Sequence, residues 1–390
     1  MKLAELQELE ARWVMQTYPR MPVEFVRGEG ARLWDSEGNE YLDFLAGISV
    51  SSVGHCHPAV VEAVRAQAGA LMHTSNLYLT EGGVRLAERL ASSSLGGRAF
   101  LCNSGTEANE CAIKLVRKHA HGRGLARPEI VVLEGAFHGR SMGSLSATPG
   151  LATNESFAPY LPGFRTVARD DADALRGAVG ESTAAVMLEP IQGETGVNVV
   201  ADELIGAARE ACDTTGALLV FDEIQTGMGR TGSLWAYEQL SVRPDVITSA
   251  KALGGGLPVG ACVTGPETAD VLERGDHGST FAGGPLVAAA SLATFDVIDD
   301  AELLRSVREL GGRLREGLEA IDGIGEVRGR GLMIGARLEG ADAREVASGA
   351  LEQGLIVNPI GSETLRFLPP LVIAEDDIDE ALAILQRTLD

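Results

Sequence analysis

The chain has 390 residues, 45% hydrophobic and 23% charged, the balance of a folded globular protein and not of a disordered one. Its 33 Lys and Arg stand against 55 Asp and Glu, a net charge of −22. That charge repels phosphate backbones and anionic lipid, so nucleic acid and membrane surfaces are poor partners, and any anionic ligand needs local cations or oriented N–H groups.

The cysteines (Cys56, Cys102, Cys111, Cys212 and Cys262) are scattered and odd in number. No disulfide framework is indicated, and a reducing, cytoplasmic compartment is expected. The opening MKLAELQELEARW carries acids where a secretory signal has its apolar core. No apolar run reaches the ~18 residues of a membrane span. The length suggests roughly two to three domains.

In chain order, Leu3, Leu6, Leu9 and Trp13 have the spacing of a short amphipathic helix. Val23–Arg27, Ala31–Trp34 and Glu40–Phe44 read as short strands separated by glycine turns. His55 and His57 resemble a metal pair, but no third ligand lies at zinc spacing. We read them as a turn before a helix from Pro58 to Leu71, and expect no metal. From residue 98, the apolar runs Ala99–Cys102, Ile130–Leu133, Ala184–Leu188, Ala217–Phe221, Val246–Ile247 and Gly260–Val263 alternate with helical segments such as Glu107–His119 and Asp202–Thr214. Buried strands alternating with helices predict an α/β fold with a mostly parallel central sheet. Beyond residue 285 come helical stretches at Leu286–Val297 and Ala301–Ile321. The strand-like Gly325–Arg330, Leu332–Ala336, Leu355–Pro359 and Thr364–Leu368 follow, then a helix at Asp376–Leu389. The expected organisation is an N-terminal segment (1–45) packing with a small α+β domain (286–390), and a large α/β domain (46–285) between them.

In open α/β sheets, ligands bind beyond the carboxyl ends of the strands. Here strand after strand is followed by a polar cluster. Ser104, Gly105, Thr106 and Glu107 open a helix, a place for an anion or an ordinary N-cap. Phe137, His138 and Arg140 share one glycine-flanked turn, suited to a flat ring and a carboxylate, or to a core aromatic and a surface ion pair. Glu189 and Glu194 are two loop acids. Asp222 ends a buried strand, where a carboxylate needs a cationic partner. Lys251 precedes three glycines, Gly254 to Gly256; a desolvated lysine there is an amine nucleophile. A lysine amine, a buried aspartate, an anion cradle and an aromatic ring are what pyridoxal 5′-phosphate requires of a protein.

The ordered motifs LWDSEGNEYLDFLAGI, GHCHPAVV, SNLY, NSGTEANE, FHGR, LEPIQGE, DEIQTGMGRTG, SAKALGGGLPVGA, HGSTF and LRFLPPLVI extend over nearly the whole chain. In them the sequence resembles the class-III (ω-amino) aminotransferases of fold type I. The resemblance implies that Lys251 carries pyridoxal phosphate as an imine and then moves a proton between substrate and cofactor. Asp222 would pair with the pyridinium nitrogen, Gln225 would contact the ring-hydroxyl side, and Phe137 would stack on the ring. Ser104, Gly105 and Thr106 would bind the phosphate. Thr280 and Ser279 would reach the site from a neighbouring subunit, Ser279 touching the substrate, so that a homodimer is the minimal active unit.

Arg366 would take the α-carboxylate of glutamate or 2-oxoglutarate. Arg140 would take their distal carboxylate, or the α-carboxylate of the other amine. Glu194 would cover Arg366 for an ω-amine and swing away for glutamate. Ile48 stands where ornithine δ-aminotransferases carry a tyrosine, which argues against free ornithine. The reaction implied is ping-pong transfer from N2-acetyl-L-ornithine to 2-oxoglutarate, giving N-acetyl-L-glutamate 5-semialdehyde and L-glutamate, a step of arginine biosynthesis. Succinylornithine, succinyl-diaminopimelate, carrier-bound lysine, ornithine and 4-aminobutyrate stay open as amines. A glutamate-1-semialdehyde aminomutase is less favoured, and a non-catalytic cofactor-binding protein least, since Lys251 and Asp222 are both present.

Overall fold

A computed structural model describes residues 2–390. Eleven right-handed α-helices are α1 Leu3–Trp13, α2 Pro58–Ala70, α3 Glu81–Ser92, α4 Gly105–Gly122, α5 Met142–Ser146, α6 Ala172–Ala178, α7 Asp202–Thr215, α8 Pro285–Ile298, α9 Ala301–Glu319, α10 Ala343–Glu352 and α11 Glu375–Leu389. The strands are β1 Phe25–Glu29, β2 Arg32–Asp35, β3 Glu40–Asp43, β4 Ala99–Cys102, β5 Glu129–Leu133, β6 Phe164–Val167, β7 Thr183–Leu188, β8 Ile191–Gln192, β9 Asn198–Val199, β10 Leu218–Asp222, β11 Val246–Ser249, β12 Gly260–Thr264, β13 Ile324–Arg330, β14 Met333–Leu338, β15 Leu355–Ile356, β16 Asn358–Ile360 and β17 Thr364–Phe367.

Seven strands make the central sheet, in the order β4-β12-β11-β10-β7-β5-β6. Every pairing is parallel except those of β12, which runs antiparallel to β11 and β4. The exception has a simple cause. The connection from Ser249 to Gly260 is too short for the dozen or more residues of a crossover, so the chain returns beside the strand it has just left. β7 and β10 are buried at every residue, as strands covered on both faces must be. Helix α4 presents Ala108, Cys111, Ala112, Leu115 and Val116 to the sheet. Helix α7 ends at Gly216, whose φ of +71° suits the left-handed cap that glycine supplies most easily.

A second sheet, β13-β14-β17-β16, is antiparallel and carries helices α9, α10 and α11. The N-terminal strands β1, β2 and β3 form a third sheet, which β15 completes by pairing parallel with β3, Leu355 opposite Leu42. The single strand expected over Leu355–Pro359 is therefore two. Leu355–Ile356 joins the N-terminal sheet, and Asn358–Ile360 joins the edge of the second. Pro359, which lacks an N–H, is accommodated on that edge. Helix α1 forms as its spacing predicts but buries no residue, and Trp13 is 72% exposed. Helix α8 packs against α2 and α3.

Candidate functional site

The ends of β4, β5, β7, β10 and β11 converge on a cavity of about 460 Å³. Ser104, Gly105, Thr106, Phe137, Arg140, Asp222, Gln225 and Lys251 all line it, with Val50, Asn103 and Glu189 beside them. Lys251 follows β11 with a φ of +45°, a left-handed conformation that costs a non-glycine residue about 1–2 kcal/mol. Burial lowers the pKa of its amine below the ordinary 10.5, although the nearby Glu194 carboxylate opposes the shift.

Asp222 is 3% exposed at the end of β10. Its Oδ2 accepts from Asn109 Nδ2 and pairs with His138 Nδ1, both at 2.8 Å. Asn109 also donates to the His138 carbonyl at 2.7 Å. The carboxylate that the sequence leaves without a partner is thus held by α4 and by the turn after β5. His138 Nε2 and Asn109 Oδ1 are buried without a partner, so these two donors are fixed on the aspartate and have no other protein contact competing at those atoms.

The anion cradle sits at the start of α4. Ser104 Oγ caps the Glu107 N–H at 3.3 Å, while the Glu107 carboxylate takes the Asn103 N–H at 2.9 Å. The N–H groups of Gly105 and Thr106 donate to nothing among the described residues and carry the positive end of the helix dipole. The Thr106 hydroxyl is within 2.5–2.8 Å of the Ser144 and Ser141 hydroxyls, so the backbone of this residue is the part free for an anion. A Cβ on Gly105 would come within 2.8 Å of the Ile224 side chain, and one on Gly260 within 2.5 Å of the Ser104 carbonyl. The cradle therefore has the close backbone approach that only glycine permits.

Phe137 lies over the cavity, its N–H donating to Glu189 Oε2 at 3.3 Å. Burial, reinforced by the charge of Asp222, pushes the Glu189 carboxyl well above the usual carboxylate range. Arg140 is exposed, with its guanidinium 5.6 Å from the centre of the Phe137 ring and no carboxylate paired to it among the described residues.

Arg366, on β17, is 2% exposed. Its Nη1 donates to Glu194 Oε1 at 2.6 Å and to the Gly193 carbonyl at 3.1 Å. Asn358 Oδ1 takes the other side of the guanidinium. Burial raises the Glu194 pKa, but the charges of Arg366 and Lys251 outweigh it and hold the carboxylate below its usual range. Gln225 joins this pair to the cavity, donating to Glu194 at 3.2 Å and accepting from Arg366 at 3.3 Å.

Ser279 and Thr280 do not line this cavity. They border a separate surface hollow with residues 75–80. Ser279 Oγ accepts from Asn103 Nδ2 at 2.8 Å, at the edge of the cradle. His55 is bonded to Asp43, and His57 caps α2, so each has a structural task. In the sequence, His138 and Glu189 stand in the strand-end clusters without a role given to either, and Asn109 goes unnamed. Asn109 does lie one turn from the cradle on the sheet-facing side of α4, which was the available signal.

A pyridoxal phosphate fits what is present: unclaimed N–H donors for a dianion, a hydrogen-bonded aspartate, an aromatic lid and a desolvated amine. Comparison with known proteins agrees. The family model "Aminotransferase class-III" matches residues 14–389. An acetylornithine aminotransferase of Caldanaerobacter subterraneus subsp. tengcongensis is 47% identical, across 97% of this chain and 98% of its own length. The ornithine aminotransferase of Toxoplasma gondii ME49 superposes with a TM-score of 0.94 at 34% identity, covering 100% of this chain and 95% of that one. The N-acetylornithine aminotransferase of Stenotrophomonas maltophilia K279a gives 0.84 at 39% identity, with 98% of each chain covered. With the family's sequence pattern over almost its full length, this chain belongs to the class-III aminotransferases, which depend on pyridoxal phosphate.

Proposed function

We propose that the enzyme moves the ω-amino group of N-acetylornithine to 2-oxoglutarate, in arginine biosynthesis. The observation that carries the substrate choice is the Glu194–Arg366 contact of 2.6 Å, which Gln225 joins to the cavity. With Arg366 covered, the site keeps Arg140 as its unpaired guanidinium among the described residues. It then suits an amine-bearing carbon that has no carboxylate attached. Uncovered, the same arginine takes the α-carboxylate of glutamate. Relatives named for acetylornithine at 42–47% identity support the choice. Ile48, packed with Ile191, Val197 and Leu368, offers no hydroxyl to orient free ornithine.

Pyridoxal phosphate, when bound, supplies an aldehyde that amines join covalently and a ring that takes up electrons from the broken C–H bond. Lys251 Nζ would hold the group and, once a substrate amine has displaced it, would act as the base at the substrate's amine-bearing carbon. Asp222, fixed by His138 and Asn109, would hold the proton of the ring nitrogen. The Gly105 and Thr106 N–H groups, with Ser104, would hold the phosphate. Phe137 and Val50 would exclude water, Gln225 would meet the ring-hydroxyl side, and Arg140 would take the carboxylate farthest from the reacting carbon.

We place Ser279 and Thr280 in the site of a second copy of this chain. The surface around them is apolar and open: Leu77, Tyr78, Leu79 and Phe281 are 88%, 71%, 93% and 67% exposed. A contiguous patch of this kind marks an association surface. A homodimer with shared sites follows. The free cysteines support a reducing, cytoplasmic compartment, and no described helix is long and apolar enough to cross a membrane. We divide the chain at residues 45 and 285, with α8 bridging, since it opens the C-terminal segment yet packs on α2 and α3.

The direct test is a half-reaction on cofactor-loaded enzyme with N-acetylornithine, ornithine or 4-aminobutyrate added singly, following loss of the visible absorption band. Rapid loss with N-acetylornithine, reversed by 2-oxoglutarate, is expected; loss only with another amine refutes the substrate. Glu194→Ala shifts the ratio of kcat/KM between acetylornithine and glutamate by about 10–100-fold towards glutamate, the worth of one charge-assisted contact. An unchanged ratio eliminates the switch. Loading has a pH signature too. Only the uncharged Lys251 amine joins the aldehyde, so uptake of the cofactor by apo-protein speeds up as pH rises. The midpoint lies below 10.5, because burial favours the uncharged form. A midpoint at or above that value contradicts the desolvated lysine.

A further inference from the structure

Residues Ala46, Gly47, Ile48 and Ser49 have φ of +49°, +62°, +61° and +65°. Four successive left-handed residues, three of them not glycine, make a turn that L-amino acids resist and that the surroundings must impose. It closes with Ser49 N–H and Val50 N–H donating to the Leu45 and Ala46 carbonyls at 3.1 and 2.9 Å. Val50, immediately after it, lines the catalytic cavity.

Two devices impose this conformation. At the entry, Asp43 Oδ1 accepts the N–H groups of Leu45 and Ala46, at 2.8 and 2.9 Å, while Oδ2 is held by His55 at 2.7 Å. At the exit stands Arg230, wholly buried and in salt-bridge contact with no carboxylate among the described residues. It donates from Nε to Ser49 Oγ and from Nη2 to Ser52 Oγ, both at 2.9 Å. Nη1 reaches the Leu332 carbonyl at 3.0 Å and the Pro369 carbonyl at 2.6 Å. A buried guanidinium satisfied only by neutral acceptors is an expensive way to fix a surface loop. It is an effective way to tie three segments at one point: the strained turn, the residue before β14, and the segment after β17, the strand that carries Arg366.

The turn has a neighbour that matters to selectivity. Leu45 and Ile48 pack with Ile191, Val197 and Val199, the residues of the β8–β9 hairpin, and with Leu368 next to β17. Glu194 is at the tip of that hairpin, and Val197 is itself left-handed, with a φ of +59°. We propose that Arg230 is a positioning residue for substrate selection: it holds the left-handed turn against the hairpin and thereby sets how firmly Glu194 sits on Arg366. This rests on the two-substrate switch proposed above, and adds the element that biases it.

Replacing Ser49 and Ser52 together by alanine removes two of the four bonds and leaves every cavity residue in place. Hydrogen exchange of the 191–199 amides in the apo-protein is then expected to quicken by about tenfold, the effect of one or two hydrogen bonds lost. In the cofactor-loaded double variant, kcat/KM for acetylornithine falls by about tenfold, while that for glutamate changes less than about threefold. Arg230→Lys, which keeps the charge and loses the fork, falls between the wild type and the double variant. An equal fall for both substrates, or a lower Tm with neither ratio nor exchange moved, overturns the proposal and leaves Arg230 purely structural. Glu194→Ala in the same assay separates the levels. If it moves the ratio and the serine variant does not, the positioning role alone is refuted. If neither moves it, the role falls together with the switch.

Discussion

Lys251→Ala loses turnover by about 10⁴-fold or more with every amine, because one side chain supplies both the covalent tether and the base. The variant still takes up cofactor, since the cradle at Gly105 and Thr106, the Asp222 network and the Phe137 lid are untouched. Its visible spectrum is that of untethered aldehyde, shifted from the wild type, and borohydride no longer fixes the cofactor to the chain. Tryptic mapping of the borohydride-treated wild type places the label on the peptide containing Lys251. A variant with the wild-type spectrum and covalent label removes Lys251 from the chemistry and with it the central assignment. Added small amines restore part of the proton transfer but not the tether, a split that distinguishes lost chemistry from lost folding.

Asp222→Ala is the second large effect. The aspartate is 3% exposed and shares one oxygen between His138 and Asn109. Removing it leaves His138 Nδ1 unpaired and Asn109 Nδ2 with the His138 carbonyl alone, and takes away the acceptor for a ring-nitrogen proton. Breaking a buried pair of this kind costs about 3–5 kcal/mol of stability. Separately, losing the group that stabilises the ring-nitrogen charge lowers turnover by about 10²–10³-fold in protein that stays folded. The lysine-bound absorption is retained, because the tether is elsewhere. Asp222→Glu, which keeps the charge but moves it by a methylene, recovers part of the rate. Turnover within tenfold of the wild type in the alanine variant shows that the ring does not depend on this carboxylate.

The central sheet was legible because its strands are continuous apolar runs, and the site was legible because its polar residues follow those runs directly. Asp222 and Lys251 lie more than a hundred residues beyond the 104–106 cradle in the chain, and all three meet for that one topological reason. What the sequence conceals is partnership across such distances. Nothing in NSGTEANE marks Asn109 as a ligand of Asp222, nor in DEIQTGMGRTG that Arg230 reaches Ser49. Helix α3 goes unassigned in the sequence, where Gly82 and Gly83 lower the helix propensity of its first turn. In the fold, a Cβ on Gly83 would meet the Gly283 carbonyl at 2.8 Å, so that glycine serves close packing and not a bend. Strand β6, FRTV, was missed because it is a half-exposed edge strand without an apolar run. The left-handed turn at 46–49 had Gly47 as its only sequence signal. Ser279 and Thr280 carry no local sign that they face away from their own cavity.

The parallel pairing of Leu355 with Leu42 has a consequence for biosynthesis. β3 emerges early from the ribosome, whereas its outer partner follows about 300 residues later, roughly 15–60 s at ordinary elongation rates. Throughout that interval the rim of the nascent β1–β2–β3 meander is an unsatisfied template for foreign strands. Co-translational folding can complete the seven-stranded layer but not this one. Closure of this sheet is therefore a long-range, slow-nucleating step, and until it occurs the open rim is the part of the growing polypeptide most exposed to wrong pairing.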